Sequence, residues 1–162
     1  MIQTCATTSA TAAAMSLIAD VYEGQGLALA VGELELGSSA DGSTLAGASL
    51  SIGIDDLTQT KTFEFVAGSA VNVFDPSGNK YSIGVQNADS SWFTKEESRN
   101  QLYDAIVSSR TDASPLNIAA PSKSGADTIG LTAGTAGTAF NSETITSTDT
   151  GITGITPTTW AG

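Results

Sequence analysis

The groups in this sequence whose types and spacing suit chemistry are, first, its paired carboxylates. Glu33 and Glu35 stand two apart in an alternating segment, and Asp55 and Asp56 are adjacent. Two carboxylates about 5–10 Å apart across a sugar cleft would serve glycoside hydrolysis. Such clefts usually carry aromatic platforms, and only 6% of this chain is aromatic, so solvated surface charge is the expectation for both pairs. Asp55, Asp56, Asp75, Asn79 and Asp89 offer the hard oxygen ligands that calcium takes, but neither an EF-hand spacing nor a glycine/aspartate nonapeptide repeat orders them. Gly130 to Gly137 (GLTAGTAG) has spaced glycines without the Lys-Ser/Thr of a phosphate loop, and the β-prone Thr144 and Thr146 follow where a helix would be needed. Trp92, Phe93 and Tyr103 could stack a sugar ring; their place around the start of a helix points instead to packing of that helix onto a sheet.

Composition removes most of the remaining chemistry. The chain of 162 residues has no histidine, which excludes Ser-His-Asp and Cys-His catalysis and histidine-ligated zinc. Cys5 is the single cysteine, so no internal disulfide or multi-cysteine metal site can form, and a free thiol is expected. Seventeen acidic side chains against 6 basic ones give a net charge of -11, which opposes nucleic acid and anionic membrane surfaces. Ala10 to Ala19 has some character of a signal-peptide apolar core, but no Lys or Arg precedes it. No apolar run approaches the roughly 20 residues that span a bilayer. The expectation is a chain that is not an enzyme and has no cofactor, no metal, no nucleic-acid partner and no membrane partner.

The elements that must position these groups divide by charge. Residues 1–60 carry seven carboxylates (Asp20, Glu23, Glu33, Glu35, Asp41, Asp55, Asp56) and no basic residue; Lys61 is the first. Leu27 to Leu36 (LALAVGELEL) alternates through Leu27, Leu29, Val31, Leu34 and Leu36, with a phase slip at Gly32 that predicts a bulge or bend. Leu45 to Ile54 alternates again, and Gly37 to Gly42 (GSSADG) reads as a turn between them, giving either a hairpin or an extended arm for another subunit. A boundary is placed near Leu57 to Gln59.

Beyond it, Lys61 to Phe65 (KTFEF) puts Phe63 and Phe65 on one strand face. Val71–Phe74 and Tyr81–Val85 flank Asp75-Pro76-Ser77-Gly78-Asn79, a type I turn with Gly78 suited to a positive φ, and so form a hairpin. Thr94-Lys95-Glu96-Glu97 has capping-box spacing and opens a helix over about 95–109, with Leu102, Ala105 and Ile106 on one stripe, Arg110 near its negative end and Pro115 barring continuation. Short strands are expected at 117–120, 128–132 and 144–148. Trp160 either tucks onto the domain or docks on a neighbour.

In this order (TFEF, hairpin, T-K-E-E helix with Leu102-x-x-Ala105-Ile106, DTIGLT at 127–132, AGTAGTAFN at 133–141, TITST at 144–148, and a TGIT…WAG ending) residues 60–162 resemble a small β-rich module of virion structural proteins of tailed bacteriophages, particularly marine ones. Trp160-Ala161-Gly162 stands where the usual ending is aromatic-Gly-Gly, and Phe140-Asn141 replaces the more common Gly-Asn. The resemblance implies a non-enzymatic building block of a phage particle.

The fold expected is α+β, mainly β: a mostly antiparallel sheet or sandwich with one helix packed on it, comprising residues 59–162. An N-terminal arm or hairpin, residues 1–58, precedes it and docks on another subunit. The function expected is a capsid decoration or cement protein, assembled into virions in the host cytoplasm, with copies of itself and the major capsid protein or tail proteins as partners. A tail, neck or tube component and a self-polymerising extracellular filament subunit are the alternatives; a carbohydrate-binding module using Trp92 and Tyr103 ranks behind them. The contact candidates are Leu27, Leu29, Val31, Leu34, Leu36 and Trp160, with an ordinary domain core as the competing role for the same side chains.

Overall fold

The structure, a computed structural model, describes residues 31–54, 59–69, 72–134, 145–147 and 155–157. Its strands are β1 (Val31–Leu36), β2 (Ser49–Ile54), β3 (Gln59–Val66), β4 (Val73–Asp75), β5 (Lys80–Gly84), β6 (Ser122–Ser124), β7 (Thr128–Thr132), β8 (Ile145–Ser147) and β9 (Ile155–Pro157). A one-turn helix α1 (Gly42–Leu45) and the main helix α2 (Lys95–Ser108) complete the described elements. The strands form a four-stranded sheet in the order β6-β7-β1-β9 and a five-stranded sheet in the order β4-β5-β3-β2-β8. The fold is α+β and mainly β.

Strand alternation builds the core directly. Leu50 and Ile52 of β2, Phe63 and Phe65 of β3, and Tyr81 and Ile83 of β5 are all buried, as are Leu34 and Leu36 of β1 and Ile129 and Leu131 of β7. All ten belong to a single hydrophobic cluster. Helix α2 packs against β5 and β7, one strand from each sheet, and adds Leu102, Ala105 and Ile106 to the cluster. The expected stripe of the helix is therefore the face that closes the core.

Pairing is antiparallel throughout except between β3 and β5, which run parallel with Phe63 opposite Tyr81. Parallel neighbours need a crossover connection rather than a tight turn. Residues 67–79 provide it. The chain leaves β3, descends as β4 on the far side of β5, and turns back to fill the gap with β5. The β4–β5 hairpin was expected, but the turn differs in detail. Asn79, not Gly78, takes the positive φ, at 47°. Its side chain donates to the Thr60 carbonyl at 2.6 Å, a hydrogen bond glycine cannot make.

The arm-and-domain division does not hold for the described residues. Strand β1 lies inside its own chain's sheet between β7 and β9, and β2 lies between β3 and β8. Both sheets thus cross the expected boundary near 57–59. Burying Leu34 and Leu36 each stabilises this arrangement by about 1.5–3 kcal/mol relative to exposure, which a free arm would forgo. The two segments do not form a hairpin either, because GSSADG runs into α1 and delivers β1 and β2 to different sheets. Asp41 caps that helix, accepting from the Ser43 and Thr44 amides at 2.9 and 3.0 Å. No bulge interrupts β1: five consecutive residues, Val31 to Glu35, pair in register with Thr132 to Thr128.

Helix α2 begins as its sequence dictates. The Glu97 carboxylate accepts from the Thr94 amide at 2.8 Å, and Thr94 Oγ1 accepts from the Glu97 amide at 3.3 Å. Thr94→Ala should lower stability by about 1 kcal/mol, the usual worth of an N-cap. A urea titration followed by circular dichroism would show this as an earlier midpoint at unchanged slope. The helix stops well before Pro115. Ser109 Oγ donates to the Ile106 carbonyl at 2.7 Å, and the Leu116 amide donates to the Ser109 carbonyl at 2.8 Å, which turns the chain away. Arg110 falls past the last turn, where Nε donates to the Ile118 carbonyl at 3.0 Å instead of serving the helix end.

Of the other expected strands, 128–132 is β7, while 117–120 contributes only a bridge between Ile118 and Ala133. Within 144–148, residues 145–147 form β8. Strands β6 and β9 were not anticipated; their three-residue lengths carry almost no alternation to read.

Candidate functional site

Among the described residues, a buried cluster of charged and aromatic groups lies on the inward face of the five-stranded sheet. Lys61 falls on the inward face of β3, in phase with Phe63 and Phe65, and its side chain is 0% exposed. An ammonium group taken out of water needs several partners. Lys61 Nζ donates to Asp112 Oδ2 at 2.5 Å and to the Ser114 carbonyl at 2.8 Å. It also lies 4.6 Å from the centroid of the Phe74 ring and 5.8 Å from that of Tyr81, within the range of cation–π attraction.

Asp112 is the hub. Its Oδ2 also accepts from the Tyr81 hydroxyl at 2.9 Å, and its Oδ1 accepts from the Ser114 amide at 2.8 Å. The loop that follows α2 thereby folds onto the sheet and stays there. Burial, above all, and then the hydrogen bond to Asp112 and its charge, push the Tyr81 hydroxyl well above the ordinary tyrosine range. Tyr81 therefore keeps its proton and acts as a donor. The ring of Tyr81 stacks on Phe63 at 5.6 Å and meets Phe74 at 4.9 Å, so the two rings that face the ammonium end of Lys61 are themselves held by aromatic contacts.

The carboxylates singled out for hydrolysis or calcium do not converge on it. Glu33 and Glu35 point outward from β1. Asp75 and Asp89 each close their own turn, accepting from the hydroxyl and amide of Ser77 and of Ser91 respectively. Asp55, Asp56 and Cys5 lie outside the described residues. Among the described residues, no three potential ligands group around a common point. Gly130 is part of β7 rather than a loop. Trp92 bridges to Gln86 and is 42% exposed, while Phe93 and Tyr103 pack against the core. Tyr103 is also covered by Lys123, whose Nζ lies 4.5 Å above its ring.

The contact candidates separate in the same way. Leu34 and Leu36 are core residues of their own domain, Val31 is 52% exposed, and Leu27, Leu29 and Trp160 lie outside the described residues. The Lys61–Asp112–Tyr81 cluster itself was missed. Its one sequence signal was Lys61 standing in the apolar phase of KTFEF; nothing local marks Asp112.

Several surface carboxylates make stability depend on pH in acid. Hydrogen bonds hold Asp41 (from Ser43 foremost), Asp75 (Ser77), Asp89 (Ser91), Glu97 (Thr94) and Asp127 (Lys95) below the usual carboxylate range. In each case the unfolded chain takes up the proton first as pH falls. Their contribution is thus complete above the ordinary value of about 4 and disappears below it. The melting temperature measured by calorimetry should fall once the pH drops below about 4.

No described helix is long and apolar enough to cross a membrane. Comparison of the chain with protein-family models, with curated proteins and with solved structures finds no match.

Proposed function

We propose that this chain is a non-enzymatic structural protein of a tailed-phage virion, one that decorates or cements the capsid shell through subunit contacts. The observation that supports this reading best is the order of the resembling motifs along the fold. TFEF lies in β3, the hairpin is β4–β5, T-K-E-E caps α2 and DTIGLT holds β7, so each of these motifs falls on a separate structural element. The net charge of -11 agrees with a place outside the packaged DNA. Val31, Val73 and Trp92, the large hydrophobic residues exposed within the described part, supply dispersed contact points. Dispersed weak contacts suffice when many copies engage one lattice together.

The test is localisation in particles. Antibody-labelled electron microscopy of virions from cells producing the chain should place the label over the shell, with a copy number that follows the capsid lattice. Label confined to the tail would transfer the reading to a tail component. A chain absent from particles that assembles alone into filaments would overturn it.

A further inference from the structure

The Lys61–Asp112 pair is a buried contact between an amine-bearing and a carboxyl-bearing side chain rather than a surface ion pair. Lys61 Nζ lies 2.5 Å from Asp112 Oδ2, with the lysine side chain 0% exposed and the aspartate side chain 9% exposed. Ser114 holds both partners: its carbonyl accepts from Nζ at 2.8 Å and its amide donates to Oδ1 at 2.8 Å. The Tyr81 hydroxyl, which retains its proton, donates to Oδ2 at 2.9 Å. The rings of Phe74 and Tyr81 lie 4.6 and 5.8 Å from Nζ on the sheet side. Fixing an amine against a carboxyl group in this way replaces an encounter between separate molecules, with effective molarities that reach about 10⁵–10⁸ M in well-oriented systems.

We propose that the folded chain joins Lys61 to Asp112 through an intramolecular isopeptide bond. In the reacting form a proton has passed from Nζ to Oδ2, leaving an amine beside a carboxylic acid. The Nζ lone pair attacks Cγ and forms the C–N bond. Oδ2 departs with the transferred proton and one further amine proton, so the C–O bond breaks and one water is released. Tyr81 polarises the departing oxygen through its hydroxyl and keeps its proton at the end. No electrons change oxidation level and no co-reactant is consumed. The product fits the partners already in place. Oδ1 becomes the amide oxygen and still accepts from the Ser114 amide, and the remaining N–H still faces the Ser114 carbonyl. The released water leaves on the partly exposed side of Asp112. The step is a single self-modification, and it stands or falls independently of where the protein is located.

Mass spectrometry of the purified, denatured full chain tests this. The chain should be lighter than its sequence by one water. Trypsin should fail to cut after Lys61 and should yield a branched species in which the peptide ending at Lys80 is joined to Thr111–Lys123. Lys61→Met, which leaves Asp112 its hydrogen bond from Tyr81, should restore the full mass, and Asp112→Ala should do the same. Tyr81→Phe should leave a fraction of the chains unjoined. A wild-type chain of full mass overturns the proposal, as does a water loss that persists in Lys61→Met or maps to the Asp41–Gly42 bond.

Discussion

Asp112→Ala should destabilise the protein more than any other single substitution considered for this fold. Removing the carboxylate leaves the Lys61 ammonium buried among aromatic rings, with the Ser114 carbonyl as its remaining acceptor among the described residues. Breaking a buried pair from one side costs about 3–5 kcal/mol, because the other charge stays behind without compensation. The Tyr81 hydroxyl loses its acceptor at the same time. Folded domains have margins of about 5–15 kcal/mol, so much of the stability disappears. The double variant Lys61→Met/Asp112→Asn removes both charges and should recover that part of the loss. It should still fall short of the wild type, since the covalent loop between these positions would be gone, and closing a loop of this length contributes about 4 kcal/mol. Urea denaturation of the wild type, the single and the double variants measures both contributions. A single variant as stable as the wild type would remove the cluster from the account of the fold.

Gly42→Ala should be the second largest effect, for a reason of space rather than charge. A Cβ at Gly42 would sit 2.3 Å from the Val85 carbonyl oxygen and 2.9 Å from the Phe93 amide nitrogen. Both are backbone atoms, so no side chain can swing aside. Relief means separating α1 from the strand end, which breaks the bond from the Gly42 amide to the Phe93 carbonyl at 2.8 Å and disturbs that from the Phe93 amide to the Val85 carbonyl at 3.0 Å. Overpacking against an unyielding neighbour costs about 1–3 kcal/mol and sometimes more, and this site belongs at the upper end. For a chain of this size that is a drop of roughly 6–12 °C in melting temperature. Gly78→Ala is the control. A Cβ there meets its nearest atom at 3.4 Å, the Asp75 carboxylate at the end of a side chain, and the change should lie within about 0.5 kcal/mol of neutral.

Both positions act through partners far away in the sequence, whereas other parts of the molecule are local. Thr94 with Glu97 and Asp75 with Ser77 act across two or three residues, so their spacing alone announces the capped helix and the hairpin turn. The inward face of each longer strand is equally legible, because alternation carries it whatever the neighbours are. Phe63 and Phe65 needed nothing else. The turn residue with positive φ was misassigned because Asn79 reaches back to Thr60, a partner nineteen positions away.

Sheet membership was not legible. Leu34 pairs with Ile129 on one side and Pro157 on the other, and no short-range pattern distinguishes these from any other alternating segment. An extended apolar stretch such as LALAVGELEL reads equally well as an arm seeking another subunit or as a strand of its own domain, since both bury the same side chains. The same holds at the candidate site. Lys61 and Asp112 lie 51 positions apart, and a lysine on a strand is ordinarily solvated. By itself the sequence determined the composition that leaves out histidine and disulfide chemistry, the capped helix, the hairpin and the buried face of the longer strands, all set by interactions within a few residues. Tertiary structure alone decided that β1 and β2 belong to two different sheets, and that an amine and a carboxyl group meet beneath one of them, because only the closing of the chain upon itself brings such distant partners into contact.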